Sequence, residues 1–187
     1  MCSQTKKDQQ KTIEALVVKA QNGNKQAFAE IYKLLSDSIY RYTLFKTNSH
    51  EDAKDLTSET FRRVWSYIYK YRAKNFKSYL FRIAHNLLVD YYKKNQQIKV
   101  TDLDYIQWLP DQKINIEKEY QKKEEIKLIY KTINKLKQSY KEVLLLRFVE
   151  ELNIQETAEI LKKSSGAVRV LQHRACKKLE SLLKENG

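Results

Sequence analysis

An all-α fold of two small helical domains is predicted by three observations. Glycine (3) and proline (1) are scarce among 187 residues, while Leu, Ile, Lys, Glu and Tyr are plentiful, a composition that favours helices over strands. Apolar residues recur at three- and four-residue intervals along most of the chain. That periodicity lapses across residues 96–121, which contain the only proline, Pro110. From Thr101 to Gln121 five acids face two bases in a chain of net charge +13. Such a shift in composition marks a flexible acidic linker between two domains.

The elements follow in order. Residues 1–11 are polar and expected to fray, and Ile13 to Ala20 reads as a short helix stopped by QNGN. After Asn24, the residues Ala27, Phe28, Ile31, Leu35, Ile39 and Tyr42 keep a helical period. KTNSHED is a loop, with Ser49 or His50 ahead of an acidic first turn. Asp52 and Asp55 lie where a helix N-terminus favours negative charge. Leu56, Phe61, Val64, Trp65 and Ile68 give this third helix an apolar side. YKYRAKN breaks the pattern and reads as a loop. The next helix carries Leu80, Ile83, Ala84, Leu87 and Tyr91 on one face and Lys77, Arg82, His85, Asn86 and Lys93 on the opposite face.

Beyond the linker, Ile126, Ile129, Ile133 and Leu136 form one stripe, and Val143, Leu144, Phe148 and Leu152 continue the core. Asn153 with Glu156 makes a capping-box-like start. Ala158, Ile160 and Leu161 are expected to be buried, and KKSS makes a short turn with Ser164 or Ser165 as the next cap. Val168, Leu171, Ala175, Leu179 and Leu182 form the inner face of the last helix. Arg169, Gln172, His173, Arg174 and Lys177 point outward. Two helices joined by a tight turn, the second basic, make a helix-turn-helix pattern. Lys162 to Lys178 holds six bases and no acid.

Charge and aromatics indicate the partner. From Arg62 to Lys94 nine bases and nine aromatic residues accompany one acid, Asp90. Basic charge attracts phosphate, and flat rings stack on unpaired bases. An aromatic stripe at helical spacing is ordinarily core. Tyr67, Tyr69 and Tyr71, however, alternate, so one helix face cannot bury all three and at least one is expected to be exposed. The acidic turn ahead of this stretch suits a protein partner.

Other classes find little support. His50, His85 and His173 lie in different segments, with no glycine-rich phosphate loop and no HExxH, so no catalytic residue, metal site or cofactor is expected. Glu51, Asp52 and Asp55 are better placed to favour a helix N-terminus than to hold a metal. Cys2 and Cys176 form no CxxC pair, and Cys176 reads as a small packing residue. Two isolated cysteines fit a reducing compartment, so the cytoplasm is the expected location. The N-terminus lacks the pattern of a signal peptide, and no run of about 18 apolar residues occurs, so membrane insertion is not expected.

The segments DAKDLTSETFRRVW, FKSYLFRIAHNLLVDYYKK and SYKEVLLLRFVEELNIQETAEILKKSSGAVRVLQHRACKKL together resemble the extracytoplasmic-function sigma factors of bacterial RNA polymerase, within the sigma-70 family. The first is similar to that family's DAEDLVQETFLRVW. The resemblance spans about residues 20–94 and 124–183. It implies a region 2 over 12–95, a linker over 96–121 and a region 4 over 122–185. It implies no chemistry of its own, with core polymerase (its clamp and flap regions) and promoter DNA as partners. In many members an anti-sigma protein covers the same surfaces. Asp52, Asp55, Leu56, Glu59, Thr60 and Phe61 would lie on or support the helix that grips the clamp. Tyr69, Tyr71, Arg72, Lys74, Asn75 and Phe76 would capture a flipped −10 base. Lys77, Arg82, His85, Asn86 and Lys93 would hold the −10 backbone. Ser165, Arg169, Val170, His173, Arg174 and Lys177 would meet the −35 element. Three departures stand out. Thr57-Ser58 replaces a common Val-Gln, Lys162 stands where a turn glycine is frequent, and Arg62 and Arg63 make the clamp helix unusually basic. An alternative reading is a stand-alone helix-turn-helix regulator, which leaves the DAKDLTSETF helix without a purpose. An enzyme acting on nucleic acid is a further alternative, against which the lack of clustered metal ligands speaks.

Overall fold

The computed structural model describes residues 2–72, 75–94, 132–133 and 135–186. The chain separates into two compact units, Met1–Thr101 and Asp102–Gly187, and the described residues are helical with short connections. The linker residues Asp102, Asp104 and Asp111, together with Ile126 and Ile129, lie outside the described residues.

The first unit contains α1 (Cys2–Gln21), α2 (Lys25–Thr47), α3 (His50–Tyr67) and α4 (Phe76–Lys94), with a 3₁₀ turn over Ile68–Lys70. Helix α1 starts at Cys2, well before the expected Ile13. The residues TKKDQQK include good helix formers and no breaker, and Asp8, Gln10, Lys11 and Thr12 stay exposed, so no apolar period could announce this stretch. Gly23 at φ 85° ends the QNGN turn, a conformation that costs glycine nothing sterically. The Asn24 side chain then accepts from Ala27 N and caps α2, and Ser49 accepts from Asp52 N and caps α3.

Helix α2 is the centre of the unit and touches each of the other three helices. Its stripe of Ile31, Leu35, Ile39 and Tyr42 is buried, as the periodicity predicts. Against it pack Ala53, Leu56, Phe61 and Val64 of α3, and Leu80, Phe81, Ala84 and Leu88 of α4. A polar seam runs through the α2–α3 contact. The hydroxyls of Thr43 and Thr57 meet at 3.2 Å, and both also reach Ala53 O. This pairing accommodates Thr57 at a position where Val is common, because a buried hydroxyl is tolerated when it is hydrogen-bonded.

The second unit contains α5 (Gln138–Leu144), a π-helical turn over Leu145–Val149, α6 (Ile154–Leu161) and α7 (Ser165–Asn186). Helices α5 and α6 both pack on α7. Leu136, Leu144 and Ala175 form a buried cluster lined by Tyr140, Cys176, Leu179 and Leu182, so Cys176 packs as expected. The π turn corrects one expectation. An extra residue per turn rotates the following side chains out of phase, and Phe148, expected in the core, is 55% exposed.

The capping box forms in full. Asn153 accepts from Glu156 N at 2.9 Å, and Glu156 accepts from Asn153 N at 2.7 Å. The Ser164 hydroxyl, which accepts from Ala167 N at 3.1 Å, caps α7. Between these helices Lys162 adopts φ 53°, the left-handed region that glycine occupies freely and that strains a residue with a Cβ. Lys162→Gly is therefore expected to stabilise the protein by about 1 kcal/mol, measurable as a raised urea midpoint with an unchanged slope.

Candidate nucleic-acid interface

The acidic start of α3 is presented to solvent by the burial of its opposite side. Glu51 and Asp55 are exposed and Glu59 is half-buried, whereas Leu56, Thr60 and Phe61 are buried. Of the six residues expected to serve a protein partner, these last three therefore support the helix from beneath. The Thr60 hydroxyl donates to Leu56 O at 2.6 Å. Phe61 packs against Phe28 and Tyr32, with ring centroids 6.3 and 4.7 Å away. Asp52 is committed within the protein: it accepts from the Tyr91 hydroxyl at 2.8 Å and so ties the start of α3 to the end of α4.

Further along α3 the charge reverses. Glu59 accepts from Arg62 Nε at 2.6 Å and from Arg63 Nε at 2.8 Å. Arg62 Nη2 adds a third hydrogen bond at 2.7 Å, and these contacts, chiefly those from Arg62, hold the carboxyl down at about 2. Beside this triad lies a groove of about 270 Å³ lined by Lys25, Phe28, Phe61, Arg62 and Trp65.

The turn after α3 carries the exposed aromatics. Tyr67 and Tyr69 are 53% and 54% exposed, and Tyr71 is 7% exposed, so the alternation of the three tyrosines is resolved with two outward and one inward. Lys70 Nζ lies 5.8 Å from the Tyr67 ring centroid and 5.4 Å from that of Tyr69. The result is an exposed cation between two rings, a pairing suited to bases and phosphates. Tyr67 and Lys70 were absent from the expected site. The signal for Tyr67 was the alternation of the three tyrosines, which already required at least one exposed ring.

Several expected contact residues instead build the turn. Tyr71 and Phe76 are buried edge to face, 5.3 Å apart, and burial raises the Tyr71 phenol well above its ordinary range. As placed, neither ring can stack on a base. Arg72 Nη1 donates to Tyr69 O and Tyr71 O at 2.9 and 2.8 Å. Asn75 Oδ1 accepts from Ser78 N and caps α4. Lys74 lies outside the described residues. On α4, Arg82 lies over the Tyr79 ring at 5.6 Å, Lys77 lies over Phe81 at 5.8 Å, and His85 Nδ1 is 2.9 Å from the Tyr42 hydroxyl. Asn86 is half-buried and Lys93 exposed.

On α7 the outward set is largely brought together. Arg169, Val170, His173, Arg174 and Lys177 are exposed and, at 100° per residue, span a face of roughly 140°. Ser165 is half-buried at its edge. Gln172, expected outward, is also half-buried, because Arg147 Nε donates to its Oε1 at 2.8 Å. Arg147 donates as well to Leu152 O, linking the π turn, the approach to α6 and the basic helix. Because the arginine can only donate, it orients the Gln172 amide with its NH₂ directed elsewhere.

The Glu59 triad has a measurable consequence. A lowered carboxylate pKa contributes stability that is present above its ordinary range near 4.5 and lost as pH falls toward 2. Carboxyl-carbon NMR is expected to show Glu59 ionised down to about pH 2, and to show it returning toward its ordinary range when Arg62 and Arg63 are both replaced by Ala.

Comparison with known proteins places the chain in a family. Residues 31–98 match Sigma-70 region 2, and residues 126–179 match Sigma-70, region 4. The chain is 31% identical over 180 residues to the ECF RNA polymerase sigma factor BldN of Streptomyces coelicolor, covering 92% of this chain and 66% of the relative. It is 29% identical over 153 residues to the ECF RNA polymerase sigma factor SigM of Bacillus subtilis, covering 82% of this chain and 93% of the relative. The fold is similar to that of CnrH, solved in complex with the cytosolic domain of CnrY (TM-score 0.66, 21% identity, 94% of this chain and 99% of that one). It is also similar to the sigma factor RpoE solved with the anti-sigma factor NepR from Bartonella quintana (TM-score 0.62, 19% identity, 84% and 96%). With regions 2 and 4 both present and in order, the chain belongs to the sigma-70 family and is an RNA polymerase sigma factor of the ECF kind.

Proposed function

We propose that this sigma factor divides its work among three surfaces. The single observation that carries the reading is their order in one chain: an acidic helix start, an exposed aromatic and basic turn, and an exposed basic face on a helix-turn-helix. Region 2 occupies residues 12–95, the linker 96–121 and region 4 122–185. The core polymerase clamp is gripped by the acidic side of α3, with Asp55 exposed and Glu59 half-buried beside its own arginines, and Asp52, Leu56, Thr60 and Phe61 hold that helix in place. Opposite charge across such a contact steers association.

The turn after α3 serves the −10 element. Tyr69, joined by Tyr67 and Lys70, offers rings and a cation to a flipped base, and stacking on aromatic rings offsets the few kcal/mol that unstacking costs. Tyr71, Arg72, Asn75 and Phe76 shape the turn. Lys77, Arg82, His85, Asn86, Lys93 and Lys74 supply the polar and basic surface for the backbone. The −35 element is met by Ser165, Arg169, Val170, His173, Arg174 and Lys177. The acidic linker is suited to the basic interior of polymerase, where it takes the place of nucleic acid. The protein supplies no catalysis of its own and works in the cytoplasm, a location in keeping with the absence, among the described residues, of any helix long and apolar enough to cross a membrane. An anti-sigma protein covering these surfaces is a further partner, by analogy with the complex of the RpoE sigma factor.

Run-off transcription with purified core polymerase on a promoter library tests the whole reading: a defined subset of promoters is expected to yield product, and the absence of any promoter-dependent RNA would refute it. Arg174→Ala is expected to cost about 1–3 kcal/mol at one −35 base pair if the guanidinium reads that base, and a uniform loss across sequences assigns it to phosphate. Asp55→Lys is expected to weaken core binding by about 1–2 kcal/mol while leaving duplex −35 binding unchanged, as measured by fluorescence anisotropy.

A further inference from the structure

Helix α1 ends beside the aromatic turn, and two of its side chains enter that turn's backbone. Gln21 Nε2 donates to Ile68 O at 3.0 Å and to Tyr71 O at 2.9 Å. About two turns earlier on the same helix, Glu14 Oε1 accepts from the backbone N–H of Phe76 at 3.2 Å. Phe76 is the first residue of α4, where an unmet N–H and the helix dipole both favour a carboxylate. The two contacts bracket the turn: Gln21 holds where it leaves α3, and Glu14 holds where it enters α4. Within the bracket Arg72 uses the carbonyls of Tyr69 and Tyr71. The backbone from 68 to 71 is therefore held from both sides, with Tyr71 tucked in and Tyr67 and Tyr69 left outside.

Glu14 and Gln21 precede residue 31, where the match to region 2 begins. Neither carries a charge or ring suited to DNA. Their value lies in geometry. A short turn with two exposed tyrosines has many backbone conformations of similar energy, and rigid support from a neighbouring element selects one. Gln21 suits this task because its NH₂ group can donate to two carbonyls at once.

We propose that Glu14 and Gln21 of α1 are positioning residues for strand opening, holding the 68–71 backbone and the start of α4 so that Tyr67 and Tyr69 are presented to the unpaired −10 strand. The inference rests on the reading of that turn as the −10 surface.

Holoenzyme assembled from core polymerase and the full chain tests it, with 2-aminopurine fluorescence in the −10 region reporting opening. Gln21→Met keeps the length and helix propensity of the side chain but removes both donors. Gln21→Lys keeps a donor within reach of both carbonyls. Gln21→Met is expected to slow opening about tenfold, the scale of one or two net hydrogen bonds, and to alter the relative opening of promoters that differ at a single −10 base. Gln21→Lys is expected to restore most of both. Core affinity and duplex −35 binding are expected to be unchanged, which a general loss of folded protein would not allow. Tyr69→Ala, measured alongside, separates the two ideas. If Tyr69→Ala slows opening and Gln21→Met does not, the positioning role is overturned while the reading of the turn stands. If Tyr69→Ala opens like the wild type, that reading fails and the positioning role fails with it.

Discussion

Burial of the apolar stripe of α2 is the constraint on which the first unit depends. Ile31, Leu35, Ile39 and Tyr42 are covered by α1, α3 and α4. At about 1.5–3 kcal/mol for each large side chain removed from water, that stripe outweighs any helix propensity these segments have alone. Once α3 must bury Ala53, Leu56, Phe61 and Val64 on α2, its opposite face has no choice but solvent. The functional polarity of α3 is thus a by-product of packing. The threonine seam sharpens the arrangement, because the hydroxyls of Thr43 and Thr57 find each other only when the two helices meet in one register.

The same packing separates charges that lie close in sequence. The early acids of α3 face water with Asp52 drawn inward to Tyr91, while Glu59 is neutralised by its own helix through Arg62 and Arg63. The acidic surface offered to a partner is accordingly smaller than a count of carboxylates suggests. Beyond it the helix turns basic and the chain enters the turn with exposed Tyr67, Tyr69 and Lys70. Two surfaces of opposite character therefore sit at opposite ends of one helix, an arrangement in keeping with the proposed division between polymerase and unpaired DNA.

In the second unit the corresponding device is the π turn over Leu145–Val149. It shifts the helical phase, turns Phe148 outward, and brings Arg147 against Gln172 of the basic helix. The left-handed Lys162 and the caps at Asn153 and Ser164 then set the angle of the helix-turn-helix locally. Region 4 is thus assembled from short-range rules, with Arg147 as a cross-link between its elements.

Much of this was legible in residue order. The periods of α2, α3 and α7, the capping box at Asn153, the narrowing of two further caps to Ser49 or His50 and Ser164 or Ser165, and the exposed basic face of the last helix follow from local spacing and turn chemistry alone. So does the argument that three alternating tyrosines cannot share one buried face. Other features belong to tertiary structure, because they depend on partners distant in the chain. Which tyrosine turns inward was decided by packing against Phe76 and Tyr79 and by the reach of Gln21 from 50 positions away. The recruitment of Asp52 by Tyr91 and of Gln172 by Arg147 joins residues 39 and 25 positions apart. Local sequence determined which segments are helical, where they stop and which charges they carry. Only the folded packing decided which of those side chains remain free to meet another molecule, since a hydrogen bond or a buried ring commits a residue that composition alone would leave available.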